Sequence, residues 1–293
     1  MVSAIPVGIA MNIYVQERQP ENQEKLYFMP QFLSLEKLAQ IRDTSPISSR
    51  NSSKGALIQE TYAVFSAVHK GLALSDIRAA ILQGSIVAKT AYSTRVSIWN
   101  AISHRYLSTC PSWLGISLAK ATTQGMDSKE YLSLSYLYFS LRDRLVFDFV
   151  TGPVWDKWQH QTTVINRGDL LSFLAEKAEE SPQIKKWRES TRIRLASTIL
   201  AALRDFGLLK GIQKKYIQGV TIESETVYHL LCILISEGKQ GRALLEARDW
   251  RLFLWSEAQV VHALANLAQE QWIRFEKGGK TVIIELIRRP NVL

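Results

Sequence analysis

The residues of this 293-residue sequence best suited to chemistry are cations. Between positions 185 and 215 stand Lys185, Lys186, Arg188, Arg192, Arg194, Arg204, Lys210, Lys214 and Lys215, opposed only by Glu189 and Asp205. The whole chain has a formal charge of +9, so this single stretch carries most of the excess. Helical spacing turns Leu195, Ile199, Leu203 and Phe206 inward and leaves Arg194, Ser197, Ala201 and Arg204 on the opposite side. Small residues between arginines allow a helix to approach a duplex closely, with the guanidinium groups reaching phosphates or base edges. Ser190 or Thr191 is the expected N-cap, which would offer first-turn amides to a phosphate. A solvated face that only confers solubility, and a scaffold surface on which the basic helix meets an acidic protein partner, are the competing readings of the same residues.

Two further surfaces have the same character. In a helix expected over 91–106, Tyr92, Val96, Trp99, Ile102 and Tyr106 form an apolar line. Thr94, Ser97, Ala101, His104 and Arg105 fall opposite it, with Arg95 on the flank and Lys89 just before. A helix lying in a groove and a bundle helix with a polar back share that pattern. Near the C-terminus, Lys277 and Lys280 flank a Gly278–Gly279 hairpin tip.

Catalytic chemistry finds less support. The five histidines are never spaced from one another or from a cysteine as metal ligands are, and no HExxH occurs. Phosphate-cradling GxxxxGK[ST], dinucleotide GxGxxG and hydrolase GxSxG motifs are absent from the sequence. Asp143 and Asp148 would suit a two-metal nuclease only if they converged. Their neighbours Arg142 and Arg144 point instead to ion pairs, and Glu176, Glu179 and Glu180 read as a solvated face. Cys110 and Cys232 lie far apart in hydrophobic stretches and read as buried, reduced thiols. Trp155, Trp158, Trp187, Trp250, Trp255 and Trp272 border helix ends, where contacts between elements are a commoner use than stacking on bases. No catalytic residue, metal, cofactor or small-molecule substrate is expected.

The elements that must position these residues are mostly helical. Residues 1–54 read as an irregular extension with one helix over 33–42 and a serine-rich loop over 43–54. An N-terminal helical unit follows over 55–165. It opens with a helix from Ala56 to about Lys70 and a short helix capped by Ser75 and closed by Gly84, which with the 91–106 helix have the order of a helix-turn-helix. A central helix runs from Tyr131 to Val150 and is broken by Gly152 and Pro153. A C-terminal winged-helix-like unit over 166–293 contains helices over 169–180 and 190–206, the latter stopped by Gly207. A short strand is expected within 216–222 and helices over 226–235 and 242–247. A helix over 256–271 leads into a β-hairpin formed by 272–275 and the β-branched run 281–287. The fold class is therefore mainly α, a helical bundle with helix-turn-helix or winged-helix-like elements and a small C-terminal β-hairpin.

Hydrophobic residues make up 46% of the chain, enough for a sizeable core. The apolar start over 1–16 lacks the basic residues of a secretion signal, and the apolar run 227–235 is about half of the roughly 20 residues a membrane span needs. A cytoplasmic protein with no membrane partner is expected.

Four segments together resemble a known family: GALIQETYAVFSAVHKGLALSDIRAAI, TAYSTRVSIWNAISHRYL, YLYFSLRDRLVFDFV, and LLSFLAEKAEESPQIKKWRESTRIRLASTILAALRDFGLLKG. In order and spacing they are similar to the BrxA family, a small component of BREX phage-exclusion systems, over about residues 55–289. The most specific segment runs from Trp187 through Thr191 and Leu195 to Leu209. The resemblance implies a mainly helical protein with winged-helix-like parts. It further implies double-stranded DNA binding and anti-phage defence beside a methyltransferase, an ATPase and a phosphatase-like protein. It supports Arg188, Thr191 and Arg192 as family-pattern positions, while their contact with DNA is inferred from charge and helix geometry. Some members carry an inner-membrane label, from which this sequence departs because it has no run long enough to span.

Overall fold

A computed structural model describes residues 41–89, 91–108, 112–279 and 281–288. The expected helix over 33–42, Cys110 and Lys280 fall wholly or largely outside those residues.

The fold is mainly helical. A 3-10 turn at Arg50–Ser52 precedes α1 (Ile58–His69), α2 (Leu74–Gln83) and α3 (Tyr92–Ile102). The α2 helix begins two residues earlier than a Ser75 N-cap predicts. Ala73 is its N-cap, with extended backbone, and its carbonyl accepts from the amides of Asp76 and Ile77, which draws Ser75 into the first turn. Gly84 closes the helix with φ at +91°, as expected of a C-terminal glycine.

A π-turn over Ser103–Leu107 continues α3. Ile98, Ala101 and Ile102 of α3 and Arg105 and Tyr106 of the π-turn face inward, while Tyr92 is 60% exposed. The apolar line expected from a uniform 3.6-residue period is thus only half kept.

Then follow α4 (Ser112–Ala121), which the sequence reading omitted, and α5 (Lys129–Leu141), whose side chains from Ser133 to Leu141 are all buried. The central helix does not run unbroken to Val150. It stops at Arg142, and Asp143 caps α6 (Arg144–Phe149) by accepting from the Val146 amide at 3.1 Å. Gly152 and Pro153, expected to break it, lie instead inside a π-turn over Val150–Val154 that leads directly into α7 (Trp155–Gln159). A proline has no N–H to donate and its ring crowds the preceding turn; a locally widened helix absorbs both problems.

Beyond α7 the chain forms β1 (Val164–Ile165), α8 (Arg167–Glu180), α9 (Pro182–Lys185), α10 (Glu189–Asp205), β2 (Leu209–Lys210) and β3 (Lys215–Ile217). The three strands make an antiparallel sheet in the order β1-β3-β2, with Val164 opposite Tyr216 and Leu209 opposite Ile217. A helix, short helix, long helix and hairpin therefore stand in sequence, with β1 closing the hairpin's outer edge.

The order is repeated in a looser form by α11 (Ser224–Ser236), α12 (Arg242–Leu245), a 3-10 turn at Arg248–Phe253, α13 (Glu257–Gln269) and a hairpin of β4 (Ile273–Gly278) and β5 (Thr281–Leu286). Ser256 and Gln259 form a capping box at the start of α13. The hairpin register pairs Ile273 with Leu286 and Gly278 with Thr281.

Buried hydrophobic side chains form one cluster that extends from Ile41 to Ile273. Phe206, at the end of α10, packs against Tyr136 and Phe139 of α5, and the Tyr136 hydroxyl donates to the Leu252 carbonyl at 2.8 Å. The basic helix is thereby anchored from behind, and its outward face is held in a fixed direction.

Candidate nucleic-acid interface

α10 is built as its periodicity demands. Leu195, Ala196, Ile199, Leu200, Ala202 and Leu203 are buried, whereas Arg194 and Ser197 are exposed and Ala201 and Arg204 half-buried. Its N-cap is Arg188 rather than Ser190 or Thr191. The Arg188 carbonyl accepts from the Thr191 and Arg192 amides, and no side chain caps the first turn. Gly207 ends the helix at φ +86°.

Lys185, Lys186, Arg188 and Arg194 are exposed, and among the described residues none of them forms an ion pair. Arg192 differs. Its guanidinium turns back to donate to the carbonyls of Ile184 at 3.0 Å and Lys185 at 3.3 Å, so it braces the turn between α9 and α10. Arg204 pairs with its neighbour Asp205 at 2.7 Å. Thr191 is half-buried on the flank of the helix.

Beside α10 lies a groove of about 450 Å³ lined by Asn166, Arg167, Gly168, Ser197, Leu200, Gln213 and Lys215. It brings the start of α8, the outer flank of α10 and the loop between β2 and β3 to one place. Arg167 is exposed there, a cation the sequence reading passed over because it stands outside the 185–215 cluster. At the loop, Lys215 donates to the Ile212 carbonyl at 2.6 Å, and the Lys214 ammonium sits 5.6 Å from the Tyr216 ring centre.

The α3 surface is not a second cationic face. Arg105 is 3% exposed and donates to the carbonyls of Lys54, Gly55 and Ala56 and to Asn51 Oδ1, so its nomination as a DNA contact is overturned by burial. Asn51 in turn donates to Asp143, which is half-buried. Burial pushes the Asp143 carboxyl above its ordinary range, while the Val146 amide and Arg105 pull the other way. Arg95 donates to the Leu82 and Lys89 carbonyls, locking the connection from α2 to α3. Lys89 pairs with Glu60 at 3.4 Å, the Ser97 hydroxyl bonds the Ser93 carbonyl at 2.9 Å, and Thr94 is half-buried.

His104 Nε2 meets Arg50 Nη1 and lies 3.5 Å from Asp43. Burial, reinforced by the charges of Arg50 and Arg142, lowers its pKa to about 4. It is a neutral acceptor near neutral pH and supplies no positive charge to a phosphate.

The described cations of the C-terminal hairpin, Arg274 and Lys277, are each paired with carboxylates. Lys277 pairs with Glu257 at 3.2 Å, and Arg274 pairs with Glu276 and Glu285. No Lys or Arg occurs anywhere in α13.

The carboxylates raised as nuclease candidates belong to separate networks. Asp143 caps α6 and meets Asn51, whereas Asp148 pairs with Arg248 at 3.1 Å and Arg144 at 3.7 Å. Among the described residues no group of three or more His, Cys, Asp or Glu side chains is placed to hold a metal ion.

One constellation invisible to spacing is Ser117, Glu225 and His229. The Ser117 hydroxyl donates to Glu225 at 3.0 Å and lies 3.2 Å from His229 Nε2, while Nδ1 faces the Tyr138 hydroxyl at 3.2 Å. A serine relay needs its carboxylate on the nitrogen opposite the serine. Here serine and carboxylate share one ring edge, and His229 is 1% exposed. The grouping is a polar joint between α4 and α11. Burial lowers the His229 pKa and keeps the ring neutral within it. Burial also raises the Cys232 thiol, to about 12, as a buried, reduced cysteine requires.

No helix among the described residues is long and apolar enough to cross a membrane.

The BrxA family model matches residues 46–232, which includes α10 and its groove and stops within α11. The match begins before residue 55 and leaves the region after 232 outside it. No curated protein matches the chain. Among solved structures, a crystal structure of an uncharacterized protein from Magnetospirillum magneticum is similar in fold, with a TM-score of 0.53 and 14% identity. That match covers 72% of this chain and all of the other.

Proposed function

The chain belongs to the BrxA family, and from that premise we propose that it is a non-catalytic double-stranded DNA-binding component of a BREX phage-exclusion system. The observation that carries this reading is the set of exposed cations, Lys185, Lys186, Arg188 and Arg194, on and just before a helix whose opposite side is anchored in the core. A 17-residue helix is about 25 Å long, and the major groove, about 12 Å wide, admits one. We read β1 to β3 with α8 to α10 as a winged helix, α10 entering the groove and the β2–β3 loop acting as the wing. Arg167 and Lys215 line the groove beside α10 and suit phosphate contacts on its flank. Contacts to phosphates predominate, so sequence preference is weak. Division of the chain at about residue 166 is part of the same proposal, with β1 assigned to the second unit. The setting is the cytoplasm.

Fluorescence anisotropy with unrelated duplexes tests this. Affinity falls steeply with salt and is similar for each sequence, and Arg188→Glu with Arg194→Glu weakens all of them alike. Unchanged affinity in that double variant would sink the surface.

A second reading applies to the C-terminal unit. Eight basic residues balance eight acidic ones over 224–288, and α13 has no cation to offer a phosphate. Between α11 and α13 a groove of about 260 Å³ is lined by Val227, Trp255, His262 and Ala263 among others. This unit suits a protein partner within the defence assembly. Capture of the methyltransferase, ATPase or phosphatase-like component that is lost on Ala263→Arg, with duplex affinity kept, is the expected result.

A further inference from the structure

The loop joining β2 to β3 contains an apolar residue that the fold leaves uncovered. Ile212 is 77% exposed, more than any other large hydrophobic side chain among the described residues. Isolated exposed hydrophobics are common on surfaces, but the backbone beneath this one is unusually constrained. Gly211 has φ at +100°, and a Cβ there would lie 2.2 Å from the Lys214 carbonyl oxygen, so the loop closes on itself in a way only glycine permits. Lys215 donates to the Ile212 carbonyl at 2.6 Å and fixes the tip from the other side. The result is a rigid hairpin end that presents a β-branched side chain outward. Lys210 and Lys214 are exposed beside it, and the groove along α10 opens next to it through Gln213 and Lys215.

We infer that Ile212 is a wedge that enters the minor groove of bound DNA and opens a base step. The inference rests on the duplex-binding reading above. The chemistry has two parts: an apolar side chain gains contact with base faces only where they are unstacked, and the flanking lysines hold the phosphates on either side. Apolar wedges of this kind kink a duplex by about 20–90°. Flexible pyrimidine–purine steps deform at least cost and are the preferred entry points. An anionic lipid surface also accepts an apolar tip ringed by lysines. DNA is favoured because the exposed cations are not confined to the tip: Arg167 lines the same groove as Gln213 and Lys215, and Arg188 and Arg194 stand exposed on α10, whose Ser197 and Leu200 form the groove's other wall.

The full-length chain is tested on a 30-base-pair duplex with 2-aminopurine beside a central TA step and a donor–acceptor dye pair at its ends. Wild-type protein at saturation raises the 2-aminopurine emission several-fold and brings the dyes closer. The Ile212→Asn variant binds within about tenfold of wild type yet leaves both signals at their free-duplex values, and Ile212→Met restores them. Equal bending and emission by Ile212→Asn and wild type overturns the wedge while leaving duplex binding intact. Failure of the wild-type protein to bind the duplex removes the underlying reading as well. Sedimentation with phosphatidylserine vesicles that Ile212→Asn abolishes, without any change in the duplex signals, assigns the tip to lipid and overturns the inference.

Discussion

Replacing Arg188 and Arg194 together by alanine tests the interface most directly, because the salt dependence of binding counts phosphate contacts. Seven exposed cations surround α10 and its groove without an ion pair among the described residues: Arg167, Lys185, Lys186, Arg188, Arg194, Lys210 and Lys214. If each neutralises one phosphate, the slope of log affinity against log salt is about −6. Affinity then falls by nearly four decades, roughly, between about 50 and 200 mM salt. The double variant has five such cations, a slope of about −4.5 and a fall of roughly 2.7 decades over the same range. Anisotropy titrations of one labelled duplex at four salt concentrations resolve that difference. Arg204→Ala and Lys277→Ala serve as controls, since Asp205 and Glu257 already neutralise those residues. Arg192 is left intact because its loss would free the turn before α10 and confuse stability with contact. A slope unchanged in the double variant, or lowered equally by Lys277→Ala, would refute the assignment of the surface.

Three other perturbations separate stability from binding. Asp143→Ala removes the N-cap of α6 and the carboxylate that accepts from Asn51, leaving that amide without its partner; a loss of about 1–3 kcal/mol in urea unfolding is expected. Gly211→Ala places a Cβ against the Lys214 carbonyl, so it should distort the β2–β3 loop and weaken duplex affinity while moving the melting temperature by no more than about 5 °C. Acid should destabilise the fold before most carboxylates titrate. His104 has its pKa lowered to about 4 and His229 is also lowered, each first by burial, so the unfolded chain takes up protons that the folded state refuses. Their contribution is complete above about pH 6.5 and diminishes as pH falls toward 4. Thermal melts across that window should show a decline that His104→Gln makes shallower, and a flat profile in the wild type would contradict the assignment.

Local rules carried much of the architecture. The inward positions of α10, its stop at Gly207 and the tip of the last hairpin follow from period, caps and turn residues, all of which act within a few neighbours along the chain. The helix breaks were less legible. Asp143 ended the central helix because its side chain capped the next one, and the π-turn kept Pro153 within a helical run; both choices depend on packing around α5 and α6.

For the candidate site, the sequence by itself determined which segment is cationic and which face of α10 turns away from the core. It did not determine which cations are available. Arg105 and Arg192 look like their neighbours in any count of charge, yet the first is enclosed by carbonyls from residues 54–56 and the second braces α9. Arg167 looked incidental until the start of α8 was placed against the β2–β3 loop. The physical reason is common to all three. Periodicity fixes the angle of a side chain about its own helix axis, whereas the partner that neutralises, buries or frees it comes from an element that only the tertiary structure brings within hydrogen-bond reach.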